Sequence, residues 1–341
     1  MPPPSAASSS RALAAILPQI ADGHAYEAHQ KARTFASRYI KSAQYDTAID
    51  VLFQSSRALL TAGQPGSGTD LALFLIEVYE AKNEVVSEES RGELTQLIAL
   101  TGSNGTWRKT LIDKAVTWTA KAGPCPAGDP DLNHYVGELL YKDGAFDLAE
   151  PHLLAAGKRD SARVLAQMMF EWWHATSVSS SAGPFALRGT IPYLLNGNVL
   201  AARTFITHLL SPNPLPVISS SSAGGTDEVI FTTDSLLNFL QLAVRTCQRA
   251  QGAGTSPENR KAQEAWVRLC GTYLGRNSVL AQNPIRKHLN ELATLFFGLP
   301  PPRNQAVNPF GDMLSSLFGG APSAGAAPRT LTPGPAAAGL D

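Results

Sequence analysis

From Arg11 to Leu299 the apolar residues recur at helical spacing in one segment after another, and the breaks between segments are short. A chain patterned this way must bury one stripe of each helix against its neighbours, which restricts it to helix-on-helix architectures. The clearest segment is Ala25 to Lys41. Wound at about 100° per residue, Ala25, Ala28, Ala32, Phe35, Ala36 and Tyr39 fall on one side, and Glu27, Gln30, Lys31, Thr34, Ser37, Arg38 and Lys41 on the other. The spacing predicts an amphipathic helix with a basic outer face. Further helices are predicted over 11–21, 44–62, 70–82, 88–100, 105–122, 130–142, 145–156, 158–176, 184–196, 198–210, 234–250, 257–274 and 281–297. Breaks such as Gly63-Gln64-Pro65-Gly66, Gly123-Pro124-Cys125-Pro126 and Gly252-Ala253-Gly254 set their bounds. Helices of this length paired through short turns are the pattern of an all-α chain built as an α-solenoid.

An internal repeat points the same way. Aligning Ala48 with Ala149 places Ala43-Gln44-Tyr45-Asp46-Thr47-Ala48 over Gly144-Ala145-Phe146-Asp147-Leu148-Ala149, Ala36 over Gly137 and Leu52 over Leu153. The offset is about three tetratricopeptide repeats of 34 residues, and small residues at these positions let paired helices approach closely. Two copies are legible. Two unrelated helical hairpins that converged on one packing solution would look the same.

Composition sets the limits of the folded part. The 341 residues are 44% hydrophobic, enough for a sizeable core, and 28 Lys+Arg balance 28 Asp+Glu. A zero net charge argues against holding nucleic acid or an anionic membrane by bulk electrostatics. Residues 1–10 are Pro, Ser and Ala around Met1, and Pro, Gly and Ala supply 22 of the 42 residues from Pro300 to Asp341. Such segments bury too little to offset the entropy of ordering. The expected organisation is a disordered 1–10, a first solenoid half over 11–156, a second over 157–299 and a flexible 300–341. Within that tail, Phe310, Met313, Leu314, Leu317 and Phe318 form an amphipathic island over 310–318, either a docking helix for a partner or a flap over the end of the solenoid. No window offers an uncharged apolar run of membrane-spanning length and the N-terminus lacks an apolar signal core, so a soluble cytosolic protein is expected.

One stretch breaks the helical rule. Leu215-Pro216-Val217-Ile218 and Glu228-Val229-Ile230-Phe231 are β-prone runs around a Ser- and Gly-rich loop, which predicts a small β-hairpin over 215–231 inserted between helices. An isolated hairpin is marginal in water and must lean on the solenoid or on a partner. The next helix, 234–250, carries Leu236, Leu237, Phe239, Leu240, Leu242, Ala243 and Val244 and reads as apolar on nearly all sides, so its own chain or another must enclose it.

Chemistry-bearing motifs are missing. There is no P-loop, dinucleotide fingerprint or nucleophile elbow, and the seven histidines are scattered. A hydrolase or metal site would have to be assembled from distant residues such as His134, Asp147 and His152. Cys125, Cys247 and Cys270 are odd in number and far apart, which suits neither a disulfide framework nor a zinc ribbon. Gly66-Ser67-Gly68 before Thr69-Asp70 predicts a turn, with Thr69 as N-cap and Asp70 in the first helical turn. Trp172-Trp173 with Phe170, Met168 and Met169 point around most of a helix, as packing residues do.

A family resemblance is carried by Tyr26-Glu27-Ala28-His29-Gln30, Arg38-Tyr39, Gly66-Ser67-Gly68-Thr69-Asp70-Leu71 and Glu77-Val78-Tyr79 in the first half. In the second half it is carried by Asp234-Ser235-Leu236-Leu237-Asn238-Phe239, by Leu295-Phe296-Phe297-Gly298-Leu299-Pro300-Pro301 and by the Phe310 to Gly319 island. In this order they resemble the scaffold subunit of the guided-entry pathway for tail-anchored proteins, the Golgi-to-ER traffic protein four family. The resemblance implies a non-enzymatic cytosolic adaptor with no cofactor. Its first half would dock the homodimeric ATPase that carries tail-anchored proteins, through Gln30, Arg38, Lys41 and Asp70. Its second half would hold a ubiquitin-like-domain protein, for which the hairpin and the following helix are chosen: Val217, Ile218, Val229, Phe231, Leu236, Leu237, Phe239 and Leu240. The alternative is a generic helical-repeat scaffold of another cytosolic complex.

Overall fold

The structure is a computed structural model that describes residues 4–103, 105–176, 181–211, 217–221, 229–250 and 256–300; for 4–8 and 217–221 the backbone alone is described. Fourteen helices and one two-stranded sheet make up the described residues. In chain order they are α1 (Pro4–Ala21), α2 (Ala25–Lys41), α3 (Tyr45–Thr61), α4 (Pro65–Lys82), α5 (Glu88–Leu100), α6 (Trp107–Ala122) and α7 (Pro130–Lys142). There follow α8 (Phe146–Ala156), α9 (Arg159–Thr176), α10 (Gly183–Leu195), α11 (Val199–Leu210), β1 (Val217–Ser221), β2 (Val229–Thr232), α12 (Ser235–Arg249), α13 (Pro257–Leu274) and α14 (Asn283–Phe297).

Most helices pack on the neighbours one and two places along the chain, as in α1 on α2 and α3, α3 on α4 and α5, and α10 on α11 and α12. That is the nearest-neighbour arrangement of an α-solenoid. A connected apolar core runs from Ala12 to Leu299, and α14 folds back to close it against α10 and α13. Among the described residues no helix is long and apolar enough to cross a membrane.

One turn recurs. After α1, α2, α3, α7 and α10 the chain passes through a left-handed residue, Gly23, Ala43, Gly63, Gly144 and Gly197. The following N–H then reaches back five residues, as Gln64 does to the Leu59 carbonyl at 2.9 Å and Asn198 to the Tyr193 carbonyl at 2.9 Å. This is the helix-ending geometry that glycine favours, used here to reverse the chain within a hairpin.

Close contact inside the hairpins explains the repeat. An added Cβ at Gly137 on α7 would lie 2.6 Å from Leu153 on α8, and one at Gly189 on α10 would lie 2.3 Å from Phe205 on α11. These pairs match the spacing of Ala36 and Leu52 on α2 and α3, and the small residue between them, Ala48, Ala149 or Ala201, is buried each time. Gly189, Ala201 and Phe205 are a third copy that the aromatic of the first two, Tyr45 or Phe146, does not flag, because Asn198 stands in its place.

Three expectations are corrected. α1 begins at Pro4, inside the segment expected to be disordered, and buried Ser9 extends the stripe of Ala12, Ile16 and Ile20 by one turn into that segment. α4 begins at Pro65, which suits the first helical position, so Gly66 to Asp70 are helical and Thr69 is a buried interior residue rather than an N-cap. Gly68 serves close packing there: a Cβ would lie 2.6 Å from Leu60. Third, α12 is amphipathic, with Asn238, Arg245, Thr246, Gln248 and Arg249 on a polar side. The β-hairpin forms as an antiparallel pair, with Ser219 opposite Phe231 and Ser221 opposite Val229. Its expected loop and the 310–318 island lie outside the described residues.

Candidate functional site

The outer face of α2 presents Tyr26, Gln30, Arg38 and Lys41 to solvent, and Tyr26 is 70% exposed. At 1.5 Å rise per residue, Gln30 and Lys41 stand about 17 Å apart along the helix. Among the described residues no carboxylate pairs with Arg38 or Lys41. Their place in the last turn of α2 also complements the negative end of its dipole.

Asp70 lies elsewhere than the sequence suggested. From the second turn of α4 it faces α2, where Asp70 Oδ2 is 2.7 Å from His29 Nε2 and also accepts from Arg33. Gln30 Nε2 donates to His29 Nδ1 at 3.3 Å, so Gln30 and Asp70 share one network while Arg38 and Lys41 lie further along the same helix. Partial burial pushes the Asp70 carboxyl up, but the hydrogen bonds and charges of His29 and Arg33 outweigh it and hold the group below its ordinary value. Arg33 also lies over the Phe74 ring, 5.1 Å from its centre. In the sequence His29 stands in a family-like run, and neither it nor Arg33 is assigned to Asp70. The available signal was their four-residue spacing, which puts both on one flank of α2.

Because the folded carboxyl titrates below its unfolded value, this tie stabilises the fold fully above the ordinary aspartate range near about 4 and is lost as pH falls through the lower folded value. Asp70→Asn should therefore be less stable than the parent at pH 7, with the deficit shrinking towards pH 3 in denaturant melts. An unchanged deficit across that range would mean that the ionised carboxylate contributes nothing.

In the second half, Leu236, Leu237, Phe239 and Leu240 are buried in the chain's own core, where α12 packs against α10, α11 and α13. As a partner-contacting surface they are corrected: a wide apolar face on α12 is covered by its own chain. Val229 is buried and Phe231 half-buried on β2; Val217 and Ile218 lie on β1, with side chains outside the described set. Among the described residues one groove of about 310 Å³ lies between α11, α12 and β2, lined by Ile206, Leu210, Ile230 and Val244 together with Arg203 and Arg245. Of the residues chosen from sequence, the six with described side chains, Val229, Phe231, Leu236, Leu237, Phe239 and Leu240, do not line it. Arg203, Ile206, Thr207 and Leu210 recur at three- and four-residue spacing on α11, a stripe that could have been read.

His134 and His152, named for an assembled site, have separate partners. His152 Nδ1 is 2.9 Å from Asn133 Oδ1, and burial pushes that imidazole below its usual value. His134 Nδ1 is 2.9 Å from Ser161 Oγ. Among the described residues no group of three His, Cys, Asp or Glu could hold a metal ion. Met168 and Met169 are fully buried, and Trp172 packs between Phe146, Phe185 and the Arg188 guanidinium.

Known proteins resemble this chain along most of its length. The family described as Golgi to ER traffic protein 4 matches residues 42–318. Golgi to ER traffic protein 4 of Aspergillus fumigatus is 30% identical over 329 residues, covering 92% of this chain and 90% of the relative. The Schizosaccharomyces pombe protein of the same name is 29% identical over 303 residues, covering 88% and 92%. A crystal structure of C. therm. Get4 superposes with a TM-score of 0.77 at 32% identity, covering 95% of this chain and 99% of that one. With the helical hairpins, the order of the motifs and this coverage in agreement, the chain belongs to the Golgi to ER traffic protein 4 family.

Proposed function

We propose that this protein is a non-enzymatic cytosolic adaptor that bridges the targeting ATPase for tail-anchored proteins and a ubiquitin-like-domain protein. In this role it promotes transfer of tail-anchored membrane proteins to the ATPase for insertion into the ER. Membership of a Golgi-to-ER traffic family supports the pathway. The observation that carries the bridging role is the pair of unlike surfaces on one solenoid. An exposed polar and basic face on α2 suits an acidic partner surface, whereas the groove between α11, α12 and β2 combines Ile206, Leu210, Ile230 and Val244 with Arg203 and Arg245 and suits an amphipathic segment.

The ATPase face comprises Gln30, Arg38 and Lys41, with Asp70 at its flank held by His29 and Arg33. The ubiquitin-like-domain protein would occupy the groove through its N-terminal segment, and the buried leucines of α12 form the groove's support rather than its contact surface.

Replacing Arg38→Glu with Lys41→Glu puts two like charges opposite an acidic patch, so affinity for the homodimeric ATPase should fall at least ~10-fold at low salt. The difference should narrow at about 1 M salt, where charges are screened within ~3 Å. Both substitutions are at exposed sites, so thermal unfolding should hardly change. Equal affinity of parent and variant at low salt would remove the ATPase from this face.

A further inference from the structure

Strand β2 has two edges, and among the described residues only one is paired with another strand. Its register with β1 sets Ser219 opposite Phe231 and Ser221 opposite Val229. The backbone of the alternate residues, Ile230 and Thr232, points to the other side, towards α12. A helix cannot complete a ladder with its own peptide groups, because its internal bonds already use them.

Two side-chain amides take the place of the missing strand. Gln241 Oε1 accepts the Ile230 N–H at 3.0 Å, and Gln241 Nε2 donates to the Ile230 carbonyl at 2.8 Å. Asn238 Oδ1 accepts the Thr232 N–H at 2.8 Å, and Asn238 Nδ2 donates to the Thr232 carbonyl at 2.8 Å. A carboxamide offers one acceptor beside one donor, the same pair that a residue of a neighbouring strand would offer. Asn238 and Gln241 stand one turn apart on α12 while Ile230 and Thr232 alternate on β2, so both contacts form together with strand and helix running in opposite senses. Thr232 Oγ1 accepts from the Asp234 N–H at 3.2 Å, and Asp234 in turn caps α12 at the Leu236 N–H, at 2.8 Å.

This latch sits at the groove. Ile230 lines it opposite Ile206 and Leu210 of α11, and Gln241, itself 6% exposed, has its amide committed to β2. We infer that Asn238 and Gln241 are positioning residues for partner capture: they fix β2 as one wall of the groove, and partner affinity depends on that wall being held. The inference rests on the adaptor reading for the identity of the partner, and on the hydrogen bonds alone for the latch.

The test uses the full chain and a purified ubiquitin-like-domain protein of the pathway with its N-terminal segment intact. In Asn238→Ala with Gln241→Ala, hydrogen exchange at the Ile230 and Thr232 amides should quicken at least ~10-fold while the interior amides of α12 keep their protection. Partner affinity should fall at least ~10-fold. A second variant, Gln241→Ala with Thr232→Cys and Asn238→Cys, joins strand to helix by a disulfide; oxidation should restore affinity and reduction should remove it again. Faster exchange with unchanged affinity would overturn the positioning role, and unchanged exchange would overturn the latch. No binding by the parent chain would instead overturn the adaptor reading, and the capture role with it, leaving the latch to the exchange result.

Discussion

Gly189→Ala is expected to destabilise the protein by about 2 kcal/mol, although alanine is the better helix former by ~1 kcal/mol. Gly189 lies within α10, and an added methyl group would sit 2.3 Å from Phe205 Cζ and 2.5 Å from Cε1 and Cε2. The ring is fully buried and meets Tyr193 edge-on at 6.3 Å, so it has no free space to retreat into. Tyr193 is itself fixed by its hydroxyl, which donates to the Leu153 carbonyl at 3.0 Å and so links this hairpin to the one before it. Overpacking at such a site costs ~1–3 kcal/mol or more and outweighs the gain in helix propensity. The control is Gly92→Ala on α5, where an added Cβ meets nothing within 4 Å. That variant should gain about 0.5–1 kcal/mol. Urea melts of both, with Gly189→Ala/Phe205→Leu as partial rescue, decide the matter. A Gly189→Ala protein as stable as its parent would mean that α10 and α11 separate at little cost.

The same close contacts explain how much of the fold was readable. The apolar stripe of α2, with Ala28, Ala32 and Ala36, is regular because small residues face a neighbouring helix along its length. Periodicity therefore locates such helices to within a residue or so. It fails where glycine has two physical meanings. Gly66 and Gly68 read as a turn, yet Gly68 is helical and small because Leu60 leaves no room for more. Only the neighbouring helix tells the two uses apart, and sequence spacing does not contain it. α12 misleads for a related reason: its leucines invite an external partner until α10, α11 and α13 are seen to cover them.

At the candidate faces, exposure was legible and pairing was not. Gln30, Arg38 and Lys41 are exposed because they lie opposite the alanine stripe, which the 3.6-residue period determines. The partners of Asp70 come from a helix about forty positions earlier, and nothing local to Asp70 names His29 or Arg33. The amides of Asn238 and Gln241 were equally hidden, since their role exists only when β2 lies along α12.

Arg108→Met should cost about 2–3 kcal/mol, the cost of leaving a buried acceptor without its charged donor. Arg108 is 9% exposed, and its Nε donates to the Thr101 carbonyl at 2.6 Å, at the C-terminal end of α5. Its guanidinium also pairs with Asp143, at the end of α7. One side chain on α6 thus ties together the ends of two other helices. The methionine leaves Thr101, itself fully buried, without its donor; Asp143 is 31% exposed at its side chain and can be hydrated instead. The cost therefore falls mainly on the Thr101 tie, and Asp143→Asn should lose no more than ~1 kcal/mol. Arg108→Lys keeps the charge but lacks the planar fork that reaches both acceptors, and should fall between the two. If instead Asp143→Asn proved as damaging as Arg108→Met in urea melts, the ion pair rather than the carbonyl contact would be what holds α5, α6 and α7 in register.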